Sequence, residues 1–405
     1  MVLPQSAPAA DAGPVAAPAD RVASLTGLRG IAALLVVGTH AAFATGKLPH
    51  GYLGTVYARL DIGVAIFFVL SGFLLFRPWV RAAATGMPGP SVDRYARRRA
   101  RRILPAYLVT VLLAYLVFAL WTVEETPGQS WAGLARHLTL TQIYTGDYLF
   151  TYLHHGLSQT WSLAVEVSFY VALPLLAYLL WVVWCRRTWR PVRLLGGLVA
   201  MAAVSPVWLT VVHTTEWLPN SAGMWLPAHL DWFAGGMALA TLQRMGVRCR
   251  AAVAIPLAIL LFLVVSTPVA GEMTMGPMPL WAPLMKNLLY ACIATLAVAP
   301  LALGAPARTG GWYRRALSCR PVAWLGEVSY ELFLLHVLVM AVLIHALDWP
   351  LFGGSLAGLF ALTLLFAVPS AWALNRLTWR PADNSPDLRC FGTSAGENPV
   401  ETQRY

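Results

Sequence analysis

Charge is what this sequence has least of. Only 12% of its 405 residues are Asp, Glu, Lys or Arg, about half the share a soluble globular domain carries. That composition excludes an ordinary water-solvated globule. Lysine is nearly missing, since only Lys47 and Lys286 among the 29 basic residues are lysine, a bias that fits a high-GC coding source. The five cysteines form no CxxC pair, which excludes a zinc ribbon or a disulfide framework; no metal site is expected. The first twenty residues hold neither Lys nor Arg, and no apolar core. They read as a disordered tail rather than a signal peptide.

What is present is apolar length. Hydrophobic residues make up 58% of the chain, with a mean hydropathy of +0.62, and they fall into repeated runs of about 20 residues. The expected class is an all-α polytopic membrane protein with about ten transmembrane helices. The runs lie near 27–45, 60–80, 103–121, 158–184, 192–213, 223–245, 251–269, 282–303, 322–346 and 355–374. A net charge of +11 raises the question of nucleic acid. The arginines, however, sit in short connections such as "RPWVRAAATGMPGPSVDRYARRRARR", "CRRTWRPVR", "QRMGVRCR" and "RTGGWYRRALSCR". The intervening connections are poor in basic residues. This alternation predicts that both termini and the arginine-rich loops are cytoplasmic, with the bilayer, not nucleic acid, as partner. Residues 1–24 and 377–405 read as polar tails around a transmembrane domain at 25–376. "WAGLARHLTLTQIY" (131–144), within the longest outer connection, reads as a short interfacial helix.

Ionisable residues inside apolar runs mark functional sites by default. In "LTGLRGIAALLVVGTH", Arg29 and His40 are eleven positions apart, about three turns or roughly 16 Å, and share nearly one helix face. Arg29 lies near the inner edge and His40 roughly 20 Å from it. Asp61 opens the second run from the outer edge. Glu166 lies roughly 12 Å, and His229 and Asp231 about 10 Å, below the outer edge. His336 returns to the depth of His40. Simpler roles exist for several of these: interhelical hydrogen bonding for His229 and His336, an N-cap for Asp61, a positive-inside anchor for Arg29. Glu166 has no such easy account, because a buried carboxylate needs a partner or a proton.

Five segments, in order, resemble the acyltransferase 3 family of integral-membrane O-acyltransferases. "SLTGLRGIAALLVVGTH" is similar to its opening Arg-x10-His motif, carried by Arg29 and His40. "DIGVAIFFVLSGFLL" matches its second-helix signature with Asp61, Ser71, Gly72 and Phe73. "RRRARRILPAYL" matches its basic motif with Arg98, Arg99, Arg102 and Pro105. "TWSLAVEVSFYVALPLL" contributes Trp161, Ser162 and Glu166, and "LGEVSYELFLLHVLV" contributes Ser329, Tyr330 and His336. The resemblance implies a bacterial cytoplasmic-membrane enzyme. It would move an acyl group, usually acetyl, from acyl-CoA as donor substrate to a hydroxyl of a sugar, glycan, glycolipid or macrolide-type antibiotic. His40 would be the base, with Glu166 or Asp61 orienting it. Arg29, Arg98, Arg99 and Arg102 would hold the CoA phosphates. The competing reading is an acyl or proton-coupled transporter, which also uses intramembrane His, Asp and Glu.

Overall fold

In hydrocarbon every backbone N–H and C=O must be satisfied within the segment, so runs of this length become helices. The computed structural model describes residues 18–121, 128–145, 153–271, 279–304 and 311–378, and among them there are helices and no strand. The expected tails fall outside the described residues except for 18–24 and 377–378. The first helix nevertheless begins at Pro18, inside the segment expected to be a tail.

The helices are α1 (Pro18–Ala44), α2 (Gly51–Ala58), α3 (Ile62–Thr85), α4 (Val92–Trp121), α5 (Trp131–Leu138), α6 (Trp161–Tyr178) and α7 (Pro191–Thr214), then α8 (Leu230–Arg244), α9 (Ala251–Val265), α10 (Trp281–Leu303), α11 (Trp312–Ser318), α12 (Arg320–Glu327), α13 (Ser329–Ala346) and α14 (Leu356–Thr378). Eight helical stretches are long and apolar enough to cross a bilayer. The other two apolar runs hold α8 and α9, of 15 residues each, about 22 Å of rise against a core of about 30 Å. The basic run before the third segment is not a loop. It continues α4 back to Val92, because arginine is a strong helix former. The short helix expected in the outer connection is α5, capped by the Ser130 hydroxyl, which accepts from the Gly133 N–H.

Small residues let helices come into backbone contact at two places, the usual device where no hydrophobic force separates helix from lipid. Gly72 of α3 lies against the Phe233 carbonyl of α8, and Gly236 of α8 against the Val69 carbonyl of α3. Gly27 and Gly30 of α1 lie against α11 and α12, and Gly326 faces the Thr26 carbonyl. That second contact brackets Arg29 and fixes its height. Gly326→Ala puts a methyl group onto the Thr26 carbonyl oxygen. The expected cost is about 1–3 kcal/mol of stability, seen as a lower melting midpoint in detergent.

A histidine cluster caps the bundle at α5. His137 Nδ1 donates to the Gly133 carbonyl at 2.9 Å. His154 Nε2 donates to Gln129 Oε1 at 2.7 Å, and its Nδ1 accepts from the Gly156 N–H at 3.1 Å. His154 is therefore satisfied only as neutral imidazole. Burial pushes it from the usual 6.5 down to about 3, and pushes His137 downward as well. A histidine lowered on folding binds fewer protons folded than unfolded, so the fold is favoured at high pH and loses stability as pH falls below 6.5 toward 3. For His154 the cost is up to about 1.4 kcal/mol per pH unit in that window. Thermal melts between pH 7 and pH 4 check this: His154→Gln flattens the dependence.

Candidate active site

Three helices carry arginine or carboxylate side chains into one cleft. Arg29 comes from α1, Arg99 and Arg102 from α4, and Glu166 and Tyr170 from α6. Ser71 of α3, Ser162 of α6, and Ser329 and Tyr330 of α13 complete the polar lining. The cleft encloses about 810 Å³, part of it open to solvent. Glu166 Oε1 accepts from the Ser71 hydroxyl and, at 2.6 Å, from the Tyr170 hydroxyl. Its Oε2 takes no hydrogen bond from a described residue. Glu166 lies within electrostatic range of Arg29 and Arg99, and Arg99 Nε is buried without a hydrogen-bond partner. The Tyr330 hydroxyl donates to the Ile103 carbonyl at 2.9 Å, which ties α13 to α4 across the cleft. The guanidiniums thus converge as binding of an anion requires. Arg98 does not join them. It is exposed on α4 and lines no part of the cleft.

The cleft's inner wall is aromatic. Phe67 and Phe333 both line it, with ring centroids 6.2 Å apart. Behind Phe333, at 6.1 Å, stands His336, and His336 meets His40 at 4.9 Å. His336 Nδ1 donates to the Phe333 carbonyl at 2.8 Å, leaving its Nε2 as acceptor. His40 Nδ1 donates to the Val36 carbonyl at 2.8 Å and lies 3.3 Å from His336 Nε2. The tautomer follows from these contacts. His40 carries its proton on Nδ1, and its Nε2, unbonded by any described side chain, keeps the lone pair.

The carboxylates stand elsewhere than the triad reading puts them. Neither Glu166 nor Asp61 hydrogen-bonds His40; its side-chain partner is His336. The reason is helix geometry: Glu166 faces the arginine cleft. Asp61 sits at the break between α2 and α3. It does not cap α3. It accepts instead from Lys286 at 2.7 Å and from the Tyr290 hydroxyl, both on α10. It remains within electrostatic range of His40. His229 is in an aromatic box, and the Asp231 carboxylate is bonded by Asn287 at 2.6 Å and the Trp232 N–H at 3.0 Å.

Sequence reasoning missed Tyr170 and Lys286. Tyr170 stands four residues after Glu166, a spacing that puts both on one helix face. Lys286 is one of two lysines and falls inside an apolar run, which singles it out.

An arginine cleft separated by an aromatic wall from a facing histidine pair, among helices long and apolar enough to cross a bilayer, defines the class as an integral-membrane protein with a buried polar site. A family model described as an acyltransferase domain matches residues 22–376. The chain belongs to the acyltransferase 3 family. It is 31% identical to acyltransferase MdmB of Streptomyces mycarofaciens, over 56% of this chain and 59% of that protein. It is 28% identical to the peptidoglycan O-acetyltransferase OatA of Listeria monocytogenes, over 47% of this chain and 29% of that protein. An O-acetyl transferase of Shigella phage Sf6 is 26% identical over 35% of this chain and 41% of its own. These matches span between 29% and 59% of each relative's length. No solved structure matches.

Proposed function

We propose that this protein is a membrane-embedded O-acyltransferase of the bacterial plasma membrane. It moves acetyl from acetyl-CoA to a hydroxyl of a sugar-containing acceptor, an envelope glycan or glycolipid or a macrolide-type antibiotic. The observation that carries this reading is the convergence of Arg29, Arg99 and Arg102 on one cleft whose aromatic wall backs onto His40 and His336. The arginine end faces the cytoplasm, where acyl-CoA is made, as loop charge predicts. The arginines hold the donor's phosphates, and the pantetheine arm passes the phenylalanines toward His40.

The chemistry then needs one base and one stabiliser of the cation it becomes. His40 Nε2 takes the proton of the acceptor hydroxyl as that oxygen attacks the thioester carbonyl carbon. The tetrahedral intermediate collapses, the C–S bond breaks, and the imidazolium returns its proton to the departing thiolate. Products are the O-acyl ester and free CoA. Donation from His40 Nδ1 to the Val36 carbonyl strengthens in the imidazolium, and the Asp61 charge favours it across the intervening space.

The test is purified protein in lipid nanodiscs with acetyl-CoA and candidate acceptors. Thiol release that depends on acceptor, with an acetylated product by mass spectrometry, is the expected result. Movement of an acylated substrate across a vesicle bilayer without thiol release favours the transporter reading instead.

A further inference from the structure

His229 is 8% exposed, and both of its ring nitrogens are buried with no hydrogen-bond partner. A neutral imidazole has one donor and one acceptor, and leaving both unpaired in a closed interior costs folding free energy. The neighbouring Asp231 is satisfied by Asn287 and the Trp232 N–H, so the local polar groups do not explain His229. Three aromatic rings surround it: Trp232 at 4.5 Å, Trp161 at 5.6 Å and Phe68 at 5.9 Å between centroids. Phe68 is itself a wall of the arginine cleft. The Trp232 indole N–H is fixed on the Asn287 carbonyl at 3.1 Å. The Trp161 indole N–H has no described partner, and its ring is half-buried, the most exposed wall of the box.

The box adjoins the arginine cleft through Phe68, which belongs to both. His229 and Trp161 stand at the ends of α8 and α6 that lead away from the arginine-rich connections. Lys286 is within electrostatic range of His229, and its Asp61 partner is within range of His40.

We propose that His229, with Trp161 and Trp232, is the acceptor's sugar-binding cradle, entered from the outer half of the bundle. A pyranose presents apolar C–H faces that suit aromatic rings and a rim of hydroxyls that both donate and accept. An acyl chain would leave both nitrogens of His229 unpaired. An anion has no free cation here, because Lys286 is engaged by Asp61. This inference rests on the acyltransferase reading and adds to it the side and the residues that receive the acceptor.

The experiment uses the full chain in nanodiscs, acetyl-CoA as donor, and chitotetraose and tylosin as sugar-bearing probes. Wild type, His229→Phe and His229→Gln are compared by acceptor KM, donor KM, calorimetric probe binding and melting midpoint. His229→Phe is expected to raise acceptor KM about tenfold or more, the scale of one lost buried hydrogen bond, with donor KM within about twofold of wild type. It should melt no lower than wild type, since exchanging an unpaired imidazole for an apolar ring removes the penalty. His229→Gln, which keeps a donor and an acceptor, should bring acceptor KM back to within about threefold of wild type. If His229→Phe does not fold, His229→Leu replaces it. An acceptor KM in the apolar variant within about twofold of wild type overturns the proposal. If wild type binds a probe without transferring acetyl, and the apolar variant loses that binding, the cradle stands and the transferase reading falls. Wild type that neither transfers to nor binds either probe overturns the cradle.

Discussion

His40→Ala is expected to lower acetyl transfer by about 10²–10⁴-fold, the usual contribution of a positioned general base, while the protein still inserts and folds. The argument rests on which nitrogen is free. Nδ1 is committed to the Val36 carbonyl, and Nε2 has no partner among the described residues. His40→Gln is the sharper variant. It keeps a donor for the Val36 carbonyl and much of the side chain's volume but offers no nitrogen base. Folded protein of wild-type yield with transfer at that reduced level is the expected pairing. Retention of near-normal transfer by His40→Ala would remove the imidazole from the chemistry. His336→Phe is informative beside it. It keeps the ring volume at the centre of the pair but removes the acceptor facing His40 Nδ1, so its loss should be smaller than that of His40→Ala.

Arg29→Ala should raise the KM for acetyl-CoA about 30-fold or more, since truncating one member of a desolvated charge pair costs about 2 kcal/mol or more. The turnover number should change much less, because Arg29 stands roughly three helical turns from His40. Arg29→Lys should recover part of the affinity: it keeps the charge and loses the planar fork. Arg98→Ala is the matched control on the same helix as Arg99 and Arg102. Being exposed and outside the cleft, it should leave donor KM within about twofold of wild type. An Arg29→Ala enzyme with unchanged donor KM would break the link between the cleft and the donor.

Membrane class and approximate span positions were legible because hydrocarbon imposes one length scale and one period on the chain. The depth of each ionisable residue was legible for the same reason, and it put His40 beside His336. Depth says nothing of direction around a helix axis. Glu166 and Asp61 were therefore near enough to His40 by height, yet they face different neighbours, Tyr170 and Ser71 for one and Lys286 and Tyr290 for the other. The basic run 94–102 read as a loop because charge ends an apolar run. Its helical continuation depends on arginine's backbone preference, which hydropathy does not measure. Orphaned nitrogens such as those of His229 are invisible in any sequence, because an unmade bond has no residue pattern.

The pinned nitrogens of the histidine pair have a bioenergetic consequence. A proton wire works by receiving a proton at one edge of a ring and releasing it from the other. His40 Nδ1 is shared between the Val36 carbonyl and His336 Nε2, but the Nδ1 edge of His336 meets only backbone carbonyls, so a relay entering the pair ends at His336. The proton His40 borrows at Nε2 returns at the same atom. In the proposed transfer a neutral hydroxyl becomes a neutral ester and the thioester becomes a thiol, so turnover would move no net charge across the bilayer and would not draw on the membrane potential.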